Sequence, residues 1–447
     1  MLTANAPKGE AVVFAGLGAM GTGLVLIDHP MPQHPSATAA TPPVHTSPWL
    51  VFWIFLRLGL TSFGGPVAHL GYFRDEFVQR RQWLTEHSYA DLVALCQFLP
   101  GPASSQVGMA LGLMRAGMPG ALAAWLGFTL PSALVLALFG LGLAGGHAVL
   151  PAGAIHGLKV VAVSVVAQAV WGMARSLCVG RARVTLMALA CCAALLVPGV
   201  WGQVGVMLAA GGAGWWQFGQ GRAAAPETVI NAPDGLQVPL RRRTGAALLV
   251  VFTALLVLLP LAARLWPGSL LAVVDAFYRV GALVFGGGHV VLPLLQAEVV
   301  GPGWVSADAF LAGYGATQAV PGPLFTFAAF LGASMQVWPG GWLGAVVCLV
   351  AIFVPSFLLV AGALPFWGPL RRSPHAQAAL AGVNAAVVGL LLAALYNPVW
   401  TSAIHSGADF GLALAAFVAL VFWRGPPWAV VLACGVGGAV LAQGFGF

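Results

Sequence analysis

Long apolar segments recur along this chain from residue 48 onwards, and they constrain its fold more than any other feature. A transmembrane helix needs about 20 predominantly apolar residues, within a range of roughly 17–25. Thirteen segments fit, good to one or two, because several are short or interrupted by glycine. They lie at about 48–66, 92–113, 120–143, 152–174, 184–200, 201–217, 245–263, 269–293, 308–333, 341–366, 377–396, 402–423 and 427–445. This pattern predicts an all-α polytopic membrane protein.

The composition supports the same class of protein. Of the 447 residues, 60% are hydrophobic and 7% are charged, whereas soluble domains carry roughly 25% charged residues. The net charge of +7 comes from cations in short loops, a pattern typical of membrane orientation and not of a nucleic-acid-binding face. The six cysteines show no C-x-x-C spacing, so neither a metal site nor a disulfide framework is predicted.

Four parts of the chain can be separated by their composition. They are a Pro/Thr/Ala-rich N-terminal tail (1–47), a first repeat (48–217), a polar cytoplasmic linker with a linking transmembrane helix (218–268) and a second repeat (269–447). The tail contains GLGAMG at 16–21, but no βαβ unit surrounds it, so no dinucleotide cofactor is predicted. With the arginine-bearing linker in the cytoplasm, the alternation of spans places the loop 72–91 outside.

The two repeats share several motifs in the same order. RLGLTSFGGP at 57–66 matches RVGALVFGGG at 279–288, and QFLPGP at 97–102 matches QAVPGP at 318–323. Trp83-Leu84-Thr85 matches Trp304-Val305-Ser306, Pro131-Ser132 matches Pro355-Ser356, and all offsets are 221–224 residues. Six spans per half plus one linking span is an odd number, so the halves should insert with inverted topology. Inverted repeats with Gly/Pro-interrupted helices are typical of secondary transporters.

The paired PGP motifs should break two helices inside the bilayer. The candidate substrate-binding residues here are Gln97, Pro100, Gly101, Pro102, Gln318, Pro321, Gly322 and Pro323. Each break can expose backbone N–H groups and a half-helix N-terminus, which carries roughly +0.5 charge. Two such breaks facing each other would form an anion site. Kinks that only shape the helix bundle are the alternative.

Three cations lie well inside predicted spans, namely Arg57, Lys159 and Arg279. A charge there costs roughly 2.5–3.5 kcal/mol or more and usually marks a transport pathway. The two arginines are related by the repeat, and a guanidinium donates paired hydrogen bonds to an oxyanion. All three are therefore candidate substrate ligands. Snorkelling to the headgroups, or pairing with an acid such as Asp275, is the alternative.

Adjacent glycines follow each repeat arginine, and they allow backbone to approach a ligand or a neighbouring helix closely. The candidate substrate-binding residues of this motif are Phe63, Gly64, Gly65, Phe285, Gly286 and Gly287. Proton coupling needs a titratable group within reach of the pathway. The candidates are Glu76, Glu298, His69, His289 and Asp275, of which Glu76 and Glu298 align approximately in the two halves. A solvated loop acid or a structural histidine is the alternative.

The paired motifs resemble those of the chromate ion transporter family in its long-chain, two-domain form. The resemblance rests on RLGLTSFGGP, QFLPGP and FTLPSA in the first half, and on RVGALVFGGGHVVLPLL, GWVSADAFLAGYGATQAVPGP and GVNAAVVGLL in the second. It covers about residues 48–400. The resemblance implies a multi-pass protein of the bacterial inner membrane that exports chromate by proton antiport, without a cofactor, and so confers chromate resistance.

The residues themselves indicate only an inverted-repeat transporter with a site suited to an anion. Sulfate or another small divalent oxyanion is the alternative substrate, because it shares the shape and charge of chromate. An anion channel or an intramembrane enzyme is a second alternative, although no P-loop, H-E-x-x-H or G-x-S-x-G motif occurs, so we expect no enzyme. The expected partners are chromate or a sulfate-like oxyanion, protons and the lipid bilayer, with no nucleic acid. A homodimer is compatible with the sequence.

Overall fold

The computed structural model describes residues 46–145, 150–197, 199–219, 240–285, 288–371 and 373–445. These residues form helices joined by turns, and no β-strand occurs among them. The predicted all-α class is therefore confirmed. The N-terminal tail up to residue 45, with its glycine pattern, lies outside the described residues.

The helices of the first half begin at Pro48. They are α1 (Pro48–Thr61), α2 (Gly65–Arg74), α3 (Glu86–Phe98), α4 (Ala103–Ala144), α5 (Ala152–Leu177), α6 (Arg181–Leu196) and α7 (Val200–Gly219), followed after the linker by α8 (Arg242–Leu265). The start of α1 is fixed locally, since the Ser47 side chain accepts a hydrogen bond from the Trp49 N–H and Pro48 occupies the first turn. A π-helical segment, Asp75–Arg80, continues α2.

The helices of the second half follow the same order at first. They are α9 (Leu270–Leu283), α10 (Val291–Val299), α11 (Ala307–Thr317), α12 (Phe327–Ser334), α13 (Gly341–Ala363), α14 (Trp367–Arg371), α15 (Pro374–Ala394), α16 (Thr401–Ala403), α17 (Gly407–Val421) and α18 (Pro427–Phe445). Short 3₁₀ segments, Gly288–Val290 and Leu324–Thr326, precede α10 and α12.

Several helical stretches are long and apolar enough to cross a membrane. The five longest are Ala103–Ala144, Ala152–Leu177, Arg242–Leu265, Gly341–Arg371 and Pro374–Ala403, and shorter apolar helices include α1, α17 and α18. On α8, Val250, Val257 and Leu258 are largely exposed, which suits a helix that faces lipid. These features indicate a multi-pass membrane protein.

Four of the predicted apolar segments are interrupted in the structure. The segment 48–66 ends its helix at Thr61, and 269–293 ends its helix at Leu283. The segments 92–113 and 308–333 are broken between α3 and α4 and between α11 and α12, at the two PGP motifs. The breaks in 92–113 and 308–333 are the ones predicted at the PGP motifs, and glycine and proline also end the helices of 48–66 and 269–293 early.

The repeat glycines Gly59 and Gly281 let helices pack closely in each half. A Cβ at Gly59 would lie 2.7 Å from the carbonyl oxygen of Phe128 on α4. A Cβ at Gly281 would meet the carbonyl oxygen of Ile352 on α13 in the same way. Because Phe128 and Ile352 are themselves repeat-related, α1 packs on α4 as α9 packs on α13. The two halves therefore use the same helix packing.

Candidate transport site

The glycine of each PGP motif has a backbone conformation that favours glycine. Gly101 has φ +121° and Gly322 has φ +106°, a region that L-residues with a Cβ rarely occupy. Gly101 follows α3 and precedes α4, whereas Gly322 follows α11 and precedes α12. Both motifs therefore form the breaks that the sequence predicts, and each break leads into the N-terminus of a following helix.

Each break is hydrogen-bonded to the other half of the chain. The Gly101 N–H donates to the carbonyl oxygen of Val284 at 2.6 Å, and the Gly322 N–H donates to that of Ser62 at 3.0 Å. Val284 and Ser62 are repeat-related, and each directly precedes the phenylalanine of the Phe-Gly-Gly motif. We call these two contacts the crossed breaks. Each PGP motif thus contacts the residue that precedes the Phe-Gly-Gly motif of the other half.

A serine of the opposite half lies beside each break. A Cβ at Gly101 would lie 2.7 Å from Ser356 Oγ, and a Cβ at Gly322 would lie 2.7 Å from Ser132 Oγ. Ser132 and Ser356 are the repeat-related serines of the two Pro-Ser motifs. The glycines are therefore required by close packing as well as by φ, and each Pro-Ser motif contacts the break of the other half.

Several buried polar groups around the crossed breaks find no hydrogen-bond partner among the described residues. They are Ser62 Oγ, Ser105 Oγ, Ser356 Oγ and Gln318 Nε2. Buried polar groups are normally satisfied, because an unsatisfied one costs roughly 1–3 kcal/mol. His69 adds a further polar group, since its Nε2 lies 3.2 Å from the Ser62 carbonyl oxygen and its Nδ1 lies 3.4 Å from Ser104 Oγ. Uncharged donors at two helix breaks suit an oxyanion.

Arg279 lies in a separate buried cluster on α9. Its Nη2 donates to Asp275 Oδ2 at 2.7 Å and to Glu298 Oε2 at 3.3 Å, while its Nη1 lies 3.1 Å from Glu298 Oε1 without hydrogen-bond geometry. The ring of Trp201 lies 5.4 Å from the guanidinium carbon. Asp275, Arg279 and Glu298 are each at most 9% exposed. We call these three residues the second-half ion cluster.

The corresponding residues of the first half have other surroundings. Arg57 is exposed on α1. Glu76 is buried and binds local arginines instead, with Oε2 2.9 Å from Arg80 Nη1 and Oε1 2.7 Å from Arg81 Nε. The position related to Asp275 is occupied by Trp53. The two repeat arginines are therefore not equivalent in the structure, and their predicted role as paired substrate ligands stays a prediction.

The remaining predicted residues are spread over both groups and the periphery. Lys159 Nζ binds Asp308 Oδ1 at 2.9 Å, linking α5 to α11. His289 Nδ1 lies 2.8 Å from the Tyr314 hydroxyl. Gly64 and Gly65 have φ +101° and +77° at the start of α2. Of the others, Gln97 is exposed, Pro100, Phe63, Phe285, Gln318 and Pro321 are half-buried, Pro102 and Pro323 are buried, and Gly286 and Gly287 lie outside the described residues.

Sequence reasoning missed two parts of this arrangement. The Pro-Ser motifs were useful as repeat markers, and nothing in their local sequence shows that each serine contacts the break of the other half. Trp201, predicted only as part of an apolar segment, stacks on Arg279. Within the described residues no group of three or more His, Cys, Asp or Glu side chains could hold a metal ion.

The duplicated helices and the crossed breaks define a multi-pass membrane transporter built from two related halves. Comparison with known proteins gives the family. The family described as "Chromate transporter" matches residues 49–215 and again residues 271–439. The chain belongs to the chromate transporter family, in its long-chain form with two repeats.

Curated relatives from bacteria cover most of the chain. It is 29% identical over 368 residues to a chromate transport protein of Pseudomonas aeruginosa, covering 80% of this chain and 82% of the relative. It is 29% identical over 401 residues to a chromate transport protein of Cupriavidus metallidurans, covering 87% of this chain and 91% of the relative. It is 27% identical over 371 residues to a probable chromate transport protein of Synechococcus elongatus, covering 81% of this chain and 87% of the relative. No solved structure matches the chain.

Proposed function

We propose that this protein exports chromate across the bacterial inner membrane by proton antiport and thereby confers chromate resistance. The observation that carries the proposal is the crossed breaks, in which Gly101 and Gly322 each bond to the opposite half. Membership of the chromate transporter family supports the substrate. The printed names of the relatives support it too.

The proposed topology has two inverted repeats, at 48–217 and 269–447, joined by a cytoplasmic linker and a linking helix at 218–268. Thirteen spans would place the two breaks on opposite sides of a pseudo-twofold axis. Helix breaks at a repeat interface near mid-membrane are a usual location for substrate in secondary transporters. We propose that the substrate contacts the residues of the crossed breaks.

The chemistry of the site explains how a dianion could be bound and released. Backbone N–H groups and the hydroxyls of Ser62, Ser105 and Ser356 can donate to tetrahedral oxygens, and the two helix N-termini favour negative charge. Uncharged donors hold an anion without a fixed counter-charge that would oppose its release. The same donors suit sulfate, which remains the alternative substrate because its shape and charge match those of chromate.

The proposal is tested by uptake of labelled chromate into everted inner-membrane vesicles that contain this protein. An acid-inside pH gradient is imposed, with and without an uncoupler, and excess sulfate is added as competitor. We expect chromate to accumulate only with the gradient, and the uncoupler to abolish accumulation. Vesicles without the protein are the control.

Three other outcomes of this experiment have definite meanings. Uptake of sulfate without uptake of chromate would replace the proposed substrate and keep the anion site. If neither anion moved in demonstrably inserted protein, the assignment of the crossed breaks to anion transport would be wrong. Chromate uptake insensitive to the pH gradient would instead exclude proton antiport.

A further inference from the structure

The second-half ion cluster has an unbalanced charge. Asp275 and Glu298 contribute two negative charges when ionised, and Arg279 contributes one positive charge. All three residues are at most 9% exposed. A net charge buried in a low-dielectric interior is unfavourable, so the cluster becomes neutral by binding one proton.

One carboxylate oxygen of the cluster, Glu298 Oε1, can take that proton, because its 3.1 Å contact with Arg279 Nη1 lacks hydrogen-bond geometry. Glu298 Oε1 and Arg279 Nε are both buried without a hydrogen-bond partner among the described residues. Asp275 Oδ2 is engaged by Arg279 Nη2 at 2.7 Å, the shorter of the two acid contacts of that nitrogen. Glu298 is therefore the more loosely held acid.

The neighbouring helices add little charge to balance the cluster. Among the described residues, α7 and α13 carry no charged side chain. The contact of α7 with Arg279 is made by the ring of Trp201. From α8 the nearby cation is Arg264, which is exposed and interacts electrostatically with Asp275. His289 precedes α10 and contacts Tyr314, while His375 of α15 lies edge-on to the ring of Trp215.

The cluster also connects the two helices that flank a break. Arg279 and Asp275 lie on α9, and Glu298 lies on α10. Val284, whose carbonyl oxygen accepts the Gly101 N–H, follows directly after α9. Protonation of Glu298 converts its carboxylate to a neutral carboxylic acid and weakens its hold on Arg279. The ion pair that joins α9 to α10 then depends on whether Glu298 is protonated. The position of Val284 at the crossed breaks depends on it in turn.

We propose that the second-half ion cluster is the proton-carrying site of this transporter, with Glu298 as the group that is protonated and Arg279 as its counter-ion. This inference rests on the proposed proton antiport. One proton from the outer medium binds the Glu298 carboxylate and is released to the cytoplasm in each cycle. The corresponding position of the first half is not such a site, since Glu76 is balanced by Arg80 and Arg81.

The test uses the purified full-length protein in proteoliposomes and separates two activities. Exchange of labelled for unlabelled chromate without a pH gradient reports substrate binding and movement alone. Accumulation against a chromate gradient, driven by a pH gradient, reports coupling to the proton. The variants are Glu298→Gln and Asp275→Asn, each of which leaves Arg279 with one carboxylate and a neutral cluster. The control is Glu86→Gln, which removes an exposed acid paired with Arg74.

We expect both cluster variants to keep chromate exchange and to lose gradient-driven accumulation down to the level of protein-free liposomes. Glu86→Gln should keep both activities. Gradient-driven accumulation retained by both cluster variants would overturn the inference. So would loss of exchange in inserted protein, which indicates a structural role, or failure of both variants to insert, since a balanced ion pair should be tolerated. Absence of gradient-driven uptake in the wild-type protein would instead overturn the proposed function.

Discussion

At the scale of single residues, the two halves place identical side chains in different surroundings. Ser132 and Ser356 are repeat-related, and each lies beside the break glycine of the other half. The Ser132 hydroxyl donates to the Thr129 carbonyl oxygen at 3.0 Å, whereas the Ser356 hydroxyl has no partner among the described residues. A buried hydroxyl that is unsatisfied in the protein alone is available to a ligand.

Ser356→Ala should therefore weaken chromate binding without destabilising the protein. The substitution removes no hydrogen bond within the described structure, so thermal unfolding in detergent should be unchanged. One lost hydrogen bond to substrate is worth about 0.5–1.5 kcal/mol, and the KM for chromate should rise roughly two- to tenfold. Transport kinetics in vesicles give the KM, with Ser132→Ala as the matched control whose KM should change little. An unchanged KM in Ser356→Ala would remove this hydroxyl from the substrate site.

At the scale of helices, close packing of repeat-related pairs is what gives each half its shape. Gly59 lets α1 approach α4, and Gly281 lets α9 approach α13. Each glycine follows the repeat arginine of its half by two residues, within the same motif. Small residues at such crossings allow backbones to approach, which is how transmembrane helices commonly associate.

Gly59→Ala and Gly281→Ala should each destabilise the protein. The added methyl group would overlap a backbone carbonyl oxygen of the neighbouring helix, and overpacking of this kind costs about 1–3 kcal/mol. The measurement is the unfolding temperature of purified protein in detergent. Gly71→Ala on α2 is the matched control, because a Cβ there would meet nothing within 4 Å, and it should be neutral or slightly stabilising. Equal effects at all three positions would argue against the packing explanation.

At the scale of the whole molecule, the halves begin with the same order of helices and differ in charge. In the first half, Glu76 is matched by two arginines, whereas its counterpart Glu298 in the second half shares one arginine with Asp275. If the halves are inverted, these unlike clusters lie toward opposite faces of the membrane. In the proposed proton antiport, only the cluster of the second half would carry the proton.

Inverted halves place the turn after Glu76 and the turn after Glu298 on opposite sides of the membrane. Single cysteines introduced as Gln82→Cys and Gly303→Cys test this, since both positions are exposed. The background lacks the native cysteines, of which Cys192 is exposed. An impermeant maleimide should label residue 82 in right-side-out vesicles and residue 303 in everted vesicles. Labelling of both positions from the same side would show that the halves are not inverted.

Much of the architecture follows from local sequence. Pro100, Gly101 and Pro102 break the helix here, because two prolines without an N–H flank a glycine that adopts a positive φ. The apolar segments predicted the helices, and the family match at 49–215 and 271–439 confirmed the repeat. The number of spans, the inverted topology and the roles of the candidate residues remain predictions.

The sequence by itself determined that this is an all-helical, multi-pass protein with two related halves and paired helix breaks. Those properties depend on backbone chemistry and on apolar segment length, which are read along the chain. Only the tertiary structure decided that Gly101 bonds to Val284, that Ser356 faces Gly101, and that Arg279 is held by two acids while Arg57 is exposed. Contacts between residues that lie far apart in sequence depend on how whole helices pack, and equivalent motifs acquire different neighbours when the packing around them differs.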